Sequence, residues 1–421
     1  MKREQHAGVD RVIDIALESG MIVLQNGGET YRTEETMTSI ASSLGARSAS
    51  AFVTPTVVML TCVDGEGSSH TRIQRISDRT INLGRIARIN ELSRRLAGRK
   101  RANDLVQVKS LLNRIRSGRE HSPAGVVFAT ALSGFFFSLM FAGTVREAAL
   151  AFAIGAAMRL VLFAVAPLAL PSFIVSLVGG FVISALSSLA VFAGLVPSSG
   201  NVSIACLMSL VPGLAIVNAI RDIIAGDLVA GSARLLEAFV IAAAISLGVA
   251  FGIMIFPSGA AWASALELLR APVPALAFSF LATAAFAYFF HISRYDILWT
   301  SLFGALGWLA YLVVSGDLSS PTLAYMAGAL VVGLLSEVFA VILKKPATVY
   351  IVPGIIPLVP GGGMYETMFL AVLGRQDAAS SAAFTTLSAA AAIAVGIALA
   401  SSCARLAYRV RSSLVRPRRG E

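Results

Sequence analysis

The four-residue sequence Leu-Val-Pro-Gly occurs twice in this chain, at Leu210–Gly213 and at Leu358–Gly361, each time inside a long apolar segment. Proline lacks a backbone donor and clashes with the preceding helical turn, and glycine permits unwinding, so both copies disfavour an unbroken helix. In lipid, the backbone groups that a break sets free need partners from protein, water or a bound solute. The two copies therefore predict two broken membrane helices.

A spacing of 148 residues separates the two copies, and it also relates positions on either side of them. Gly226 corresponds in this way to Gly374, and Gly248 corresponds to Gly396. Apolar segments of about 20 residues, enough to cross a bilayer core, recur at nearly the same spacing. They lie at residues 124–143, 147–166, 171–195, 201–220, 230–256, 271–291, 295–315, 320–342, 348–373 and 378–403. The pattern predicts a polytopic α-helical membrane protein with about ten transmembrane helices.

Each of the two predicted repeats contains five helices, which is an odd number. The second repeat must therefore enter the membrane from the side opposite to the first. Inverted repeats with interrupted helices are typical of secondary transporters, whose small-molecule substrates bind at the repeat interface. We therefore expect a transport function.

The composition agrees with this fold class. Of the 421 residues, 56% are hydrophobic and only 14% are charged, whereas a soluble domain carries about 25% charged residues. The three cysteines, Cys62, Cys206 and Cys403, lie far apart and without a neighbouring histidine cluster. We therefore expect no disulfide framework, no metal site and no cofactor.

The net charge of +10 is unevenly distributed along the chain. Basic residues are frequent between Arg85 and Arg119, before the first apolar segment, and between Arg405 and Arg419, after the last one. By the positive-inside rule, both termini are predicted to be cytoplasmic in a multi-pass protein of the plasma (inner) membrane. Nucleic-acid binding is the alternative interpretation, but juxtamembrane lysine and arginine ordinarily contact lipid, so we expect no nucleic-acid partner.

Four regions follow from these patterns. They are a cytoplasmic α/β domain at residues 1–121, a first five-helix repeat at 122–257, a second at 270–404, and a basic cytoplasmic tail at 405–421. In the first region, Ser48–Thr54, Val57–Val63 and Ser69–Ile76 are rich in β-branched residues and predict three strands. No phosphate-binding loop or catalytic motif accompanies the acidic residues and His70 there. We expect this domain to regulate or gate, and we expect the protein not to be an enzyme.

The broken segments contain the predicted substrate site. Its residues are Pro212, Gly213, Asn218, Gly361, Gly362, Gly363 and Tyr365. A half-helix that starts after Gly363 would direct free amides and a positive dipole end at a carboxylate. The alternative is that the prolines and glycines serve only close helix packing. Arg221 and Asp222, beyond the first break, are predicted either to gate the site or to form a surface ion pair.

Charged residues also occur within apolar spans, where they are costly and usually paired. They are Arg159, Glu237, Glu337 and Glu366. Glu337 and Glu366 are the predicted carriers of a coupled proton, since burial raises the pKa of a carboxylate. For Arg159 and Glu237, a structural ion pair or a position near a helix end is an equally good interpretation.

Several longer motifs resemble the threonine/serine exporter family. They are Asn26–Met37, Phe52–Thr56, Asn82–Arg94 and Val211–Asp227. The segment Pro353–Tyr365 is similar to the small second subunit that occurs where such a transporter is split into two polypeptides. The resemblance implies a cytoplasmic N-terminal domain, ten helices, and export of L-threonine or L-serine driven by the proton-motive force.

The sequence leaves three questions open. Split relatives of this family are associated with C4-dicarboxylates such as succinate, so a dicarboxylate is the alternative substrate. A membrane-anchored enzyme or sensor that acts through the N-terminal domain is the second alternative function. A homo-oligomer is also possible.

Overall fold

The computed structural model describes residues 2–76, 79–98, 104–118, 121–255, 272–317 and 320–415. Parts of the predicted basic segments lie outside the described residues, including Arg119, Arg270 and the tail from Arg416 onwards.

In its described residues, the polar front part has four helices and one antiparallel sheet of order β1-β2-β3. Its elements are α1 (Lys2–Gln25), α2 (Thr30–Ser43), β1 (Ser48–Thr54), β2 (Val57–Val63), β3 (Ser69–Arg75), α3 (Leu83–Ala97) and α4 (Leu105–Ser117). Ser48 lies opposite Val63 in the first hairpin, and Val57 lies opposite Arg75 in the second. The strands coincide with the predicted ones, apart from a single residue at the end of β3.

Buried and partly exposed residues alternate along β2, so one face of the sheet packs against the helices. Val58, Leu60 and Cys62 point to one face and are buried, as expected for a strand with period two. They share a hydrophobic core with Ile13 of α1 and Met37 of α2. This core is separate from the one between the membrane helices.

Within the described residues, the α-helices of the apolar part form two series of six. The first is α5 (Pro123–Met140), α6 (Val145–Val165), α7 (Ser172–Phe192), α8 (Gly200–Leu207), α9 (Gly213–Ala225) and α10 (Leu228–Ile255). The second is α11 (Pro272–Phe289), α12 (Arg294–Asp317), α13 (Pro321–Ile342), α14 (Thr348–Gly354), α15 (Gly361–Val372) and α16 (Gln376–Val415). Every helix of the second series starts within one residue of the position 148 residues after its counterpart.

Corresponding helices also have corresponding neighbours. Helix α7 packs on α10 as α13 packs on α16, and α5 packs on α6 as α11 packs on α12. Across the two series, α10 contacts α15 while α9 contacts α16. These contacts between the two series are therefore reciprocal, since each of the two helix pairs becomes the other when the series exchange places.

The glycines related by the 148-residue spacing occupy equivalent helix crossings. A Cβ atom at Gly248 would lie 2.1 Å from the carbonyl oxygen of Leu177, and one at Gly396 would lie 2.5 Å from that of Met326. Only glycine permits these approaches, which is the ordinary role of small residues between membrane helices.

The described residues include seven helices that are long and apolar enough to cross a membrane. The bent pair Thr348–Leu358 and Gly361–Ala371 can add an eighth span. The protein is therefore a polytopic helical membrane protein. The predicted total of ten spans also needs α11 and the α8–α9 pair, so that number stays a prediction.

Candidate functional site

Both predicted breaks are present, and they have the same backbone conformation. Pro212 precedes α9 with φ −80° and ψ 38°, and Pro360 precedes α15 with φ −78° and ψ 51°. In the second series the helix axes on either side of the break differ in direction by 56°. The predicted start of the half-helix after Gly363 is wrong, because α15 already begins at Gly361.

The breaks leave backbone groups without partners. Pro212 has no N–H to give to the carbonyl of Met208, and no described donor replaces it. The carbonyl of Val211 likewise accepts no hydrogen bond from a described residue. At the start of α15, the amides of Gly362 and Gly363 donate to no described acceptor. Free carbonyls and free amides are groups that a polar solute can satisfy.

One cavity of about 700 Å³ lies between the two breaks. Its described lining includes Met208 to Pro212 of the first break and Ile356, Val359 and Gly361 of the second. Among the predicted substrate residues, Pro212, Asn218 and Gly361 line this cavity. Asn218 is 5% exposed, and its side-chain amide has no hydrogen-bond partner among the described residues. The structure thus places predicted residues of both broken segments around one cavity.

The other predicted substrate residues lie elsewhere. Gly362, Gly363 and Tyr365 are not part of the described cavity lining. A Cβ atom at Gly363 would lie 2.4 Å from Thr386 Oγ1 of α16, so this glycine allows close packing. Tyr365 is buried, and its ring stacks on Phe369 at 5.5 Å between centroids. The packing interpretation therefore describes the contacts of Gly363 and Tyr365. A Cβ atom at Gly362 would lie 3.7 Å from Ile204, an ordinary contact, so no close packing requires this glycine. Gly213 begins α9, and nothing further is described for it.

The predicted proton carriers are also outside the cavity. Glu366 is exposed, so the burial on which its prediction rested is absent. Glu337 is partly buried and accepts a hydrogen bond of 2.7 Å from Ser401. It lines a smaller cavity together with Arg32.

Arg159 of α6 lines the cavity between the breaks. Its Nε atom donates to Thr130 Oγ1 at 3.3 Å, and its Cζ atom lies 4.5 Å from the centre of the Phe289 ring. No described carboxylate lies within ion-pair distance of it, so the predicted alternative of a structural ion pair is wrong within the described residues. A guanidinium is always charged, and an unpaired one in an apolar cavity attracts an anion.

The other charged groups at the cavity are paired. Arg79 and Glu237 form an ion pair of 2.7 Å, and Arg234 pairs with Asp222 at 3.3 Å. Within the described lining, Arg159 is therefore the charge that no opposite charge compensates.

Two histidines also line this cavity, His121 before α5 and His291 after α11. Burial lowers the pKa of both imidazoles, so both are neutral at neutral pH. In the described part of the chain, no group of three or more His, Cys, Asp or Glu residues is arranged to hold a metal ion.

Arg221 and Asp222 lie in a buried polar cluster where the front part meets α9. Arg221 Nη1 lies 2.9 Å from Glu29 Oε1, with side-chain exposures of 10% and 1%. The hydroxyl of Thr30 donates to Asp227 at 2.9 Å and to Asp222 at 3.3 Å. The alternative of a surface ion pair is therefore wrong, since these charges are buried and join two parts of the chain.

Arg234 completes this cluster by donating to the carbonyl oxygen of Gly28 at 3.0 Å. Sequence reasoning singled out only Arg221 and Asp222. It missed Glu29 and Thr30 as partners, although both occur in the Asn26–Met37 motif. The sequence did contain a signal for this contact, because the motifs Asn26–Met37 and Val211–Asp227 both occur in this chain.

Residues 14–256 match the family described as putative threonine/serine exporter, and residues 275–403 match the family described as Threonine/Serine exporter, ThrE. A threonine/serine exporter from Corynebacterium glutamicum is 23% identical over 419 residues, covering 95% of this chain and 84% of that protein. No solved structure matches this chain.

Proposed function

Because this chain belongs to the threonine/serine exporter family, we propose that it exports L-threonine or L-serine through the cavity between its two broken helices. The observation that carries this proposal is that both breaks line one cavity, which contains an unpaired arginine. Its volume of about 700 Å³ is within the usual range for small-molecule sites, about 300–1,000 Å³.

The groups around this cavity suit a zwitterionic amino acid. Arg159 supplies a positive charge for the carboxylate, and α15 begins at Gly361 in the cavity wall, so the positive end of its dipole lies at the cavity. The free carbonyls of Met208 and Val211 can accept hydrogen bonds from the ammonium group. Asn218 offers a donor and an acceptor for the side-chain hydroxyl.

One observation favours the second candidate, an exporter of C4-dicarboxylates such as succinate. The described cavity lining carries an unpaired cation but no unpaired carboxylate. A dicarboxylate has no ammonium group, so it does not need an unpaired carboxylate in the cavity wall.

The proposed topology has ten spans in two inverted repeats, with α8–α9 and α14–α15 each counted as one broken span. Its support is the set of junctions that the front part contacts. In the first half, the front part contacts the junction between α9 and α10, at Arg221 and Asp227. In the second half, it contacts the junction between α11 and α12, where the amide of Leu83 donates to the carbonyl of Phe290, and α3 also contacts α14. These junctions do not correspond by the 148-residue spacing, as expected if one half is inverted. Both termini and the domain at residues 1–121 are then cytoplasmic.

Cysteine labelling in intact cells checks this topology. Leu195, after α7, and Leu343, after α13, are exposed residues at equivalent positions 148 residues apart. In a cysteine-free background we expect a membrane-impermeant maleimide to label Leu195→Cys from outside. Leu343→Cys should react only after permeabilisation. Labelling of both from the same side contradicts inversion.

Transport into proteoliposomes tests the function. We expect the purified chain to exchange threonine and serine, and we expect an imposed proton gradient to drive their net movement, while alanine is transported less. Faster movement of succinate would select the second candidate. If none of these solutes moves faster than in protein-free vesicles, the exporter proposal is wrong.

A further inference from the structure

The front part of the chain forms part of the wall of the cavity between the breaks. Its described lining residues there are Leu24, Gly27, Pro55, Arg79, Thr80 and Ile81. Helix α10 contributes Arg234, Glu237 and Ile241 to the same cavity. A solute that enters the cavity on the side of the front part therefore passes between the front part and α10.

One ion pair joins these two parts of the wall. Arg79 Nη1 lies 2.7 Å from Glu237 Oε2, and the two side chains are 34% and 35% exposed. An exposed pair is weak, because water screens the two charges and hydrates each of them when they separate. This pair can therefore open without leaving a buried charge uncompensated.

The ion pairs next to it are different. Glu29 and Arg221 are 1% and 10% exposed, and Arg234 pairs with Asp222, which is also 1% exposed. Glu29 and Asp222 do not belong to the described cavity lining, in which Glu237 is the one carboxylate. A cation inside the cavity thus has Glu237 as its ionic partner, while the buried pair of Glu29 and Arg221 holds the front part on α9 when the exposed pair opens.

We propose that Glu237 is an entry subsite for the ammonium group of an amino acid, which takes the place of Arg79 there. This inference rests on the exporter function proposed above. An ammonium group and a guanidinium carry the same charge, and both donate hydrogen bonds to a carboxylate. The exchange therefore keeps Glu237 paired, and the displaced Arg79 is hydrated by the solvent to which it is already exposed.

The subsite connects substrate recognition with the front part. While Arg79 is paired with Glu237, the front part is attached to α10 beside the cavity. When an ammonium group occupies Glu237, this attachment is released, and the passage between the front part and α10 widens for the solute. A dicarboxylate carries no cation that could replace Arg79. The subsite therefore selects amino acids.

Counterflow of labelled threonine into proteoliposomes that contain the purified full-length chain tests this proposal. We expect Glu237→Gln to raise the apparent KM by about tenfold or more, since a hydrogen bond to a charged group is lost. Glu237→Asp keeps the charge and should retain most of the affinity. Arg79→Gln should instead lower the KM by about threefold, because it removes the cation that competes for Glu237. A pair that only stabilised the fold would not give opposite effects for its two partners.

The matched control is another exposed ion pair of the front part. Arg72 Nη1 lies 2.5 Å from Asp14 Oδ1, and both residues lie outside the described cavity lining. Arg72→Gln and Asp14→Asn should each leave the KM unchanged. The double variant Arg79→Gln with Glu237→Gln should match Glu237→Gln alone, since Arg79 acts through the carboxylate that is then absent.

The outcomes separate the entry subsite from the exporter function. If the wild type shows no counterflow of threonine, the exporter function itself is wrong, and the subsite is wrong with it. If the wild type exchanges threonine but Glu237→Gln leaves the KM unchanged, or Arg79→Gln fails to lower it, the exporter function stands and the subsite is wrong. A raised KM in Glu237→Gln together with a lowered KM in Arg79→Gln supports the subsite.

Discussion

Replacing Arg159 with glutamine is expected to weaken threonine binding by at least about 30-fold. This guanidinium lines the cavity between the breaks, and no described carboxylate lies within ion-pair distance of it. We propose that it binds the substrate carboxylate, and truncating one partner of a desolvated charge pair costs about 2–5 kcal/mol. At about 1.4 kcal/mol for each factor of ten, the lower limit corresponds to the stated loss.

Counterflow of labelled threonine in proteoliposomes measures this effect as an increase in apparent KM. Arg159→Lys should retain part of the affinity, since it keeps the charge but loses the planar fork. Arg146→Gln is the matched control, because Arg146 is an exposed arginine on the same helix, α6, and does not line the cavity. An unchanged KM in Arg159→Gln would show that the carboxylate binds elsewhere.

Replacing Glu29 with glutamine is expected to disrupt the contact between the front part and α9. The Glu29–Arg221 pair is buried on both sides, at 1% and 10% exposure. Removing one partner of a buried ion pair typically costs about 3–5 kcal/mol, because the other charge remains buried. We therefore expect a lower Tm, faster proteolysis of the front part and strongly reduced export.

The double variant Glu29→Gln with Arg221→Gln distinguishes this cause from general damage. It removes both charges, so its loss of stability should be smaller than the sum of the two single losses. Arg72→Gln is the control, since Arg72 forms exposed pairs with Asp10 and Asp14 in the same part of the chain. Exposed pairs contribute about 0–1 kcal/mol. Additive losses in the double variant would contradict the direct coupling of these two residues.

The local structure follows closely from the sequence. The three strands of the front part and the helix starts of the two series lie where composition and spacing predict them. The breaks at Pro212 and Pro360 were predictable for the same reason, because a missing N–H and the glycine that follows act on the residues next to them. Equivalent glycines, such as Gly248 and Gly396, mark equivalent helix crossings.

The sequence did not predict in which direction individual side chains point. Successive residues of a helix turn by about 100° around its axis, so residues close in sequence can point to different surroundings. In α15, Gly361 lines the cavity, Tyr365 packs beside Phe369, and Glu366 is exposed. The second broken segment lines the cavity through Gly361, while the other residues predicted within it lie outside the described lining. Their roles in substrate binding stay predictions.

The sequence by itself determined the membrane class, the duplicated helix pattern and the places where the helices break, because each depends on residues that are near in the chain or repeat at a regular spacing. Only the tertiary structure decided which charges meet. Glu29 reaches Arg221, while Arg159 meets no described carboxylate. Whether a charge is paired depends on distances between segments far apart in sequence, and no local pattern encodes those distances.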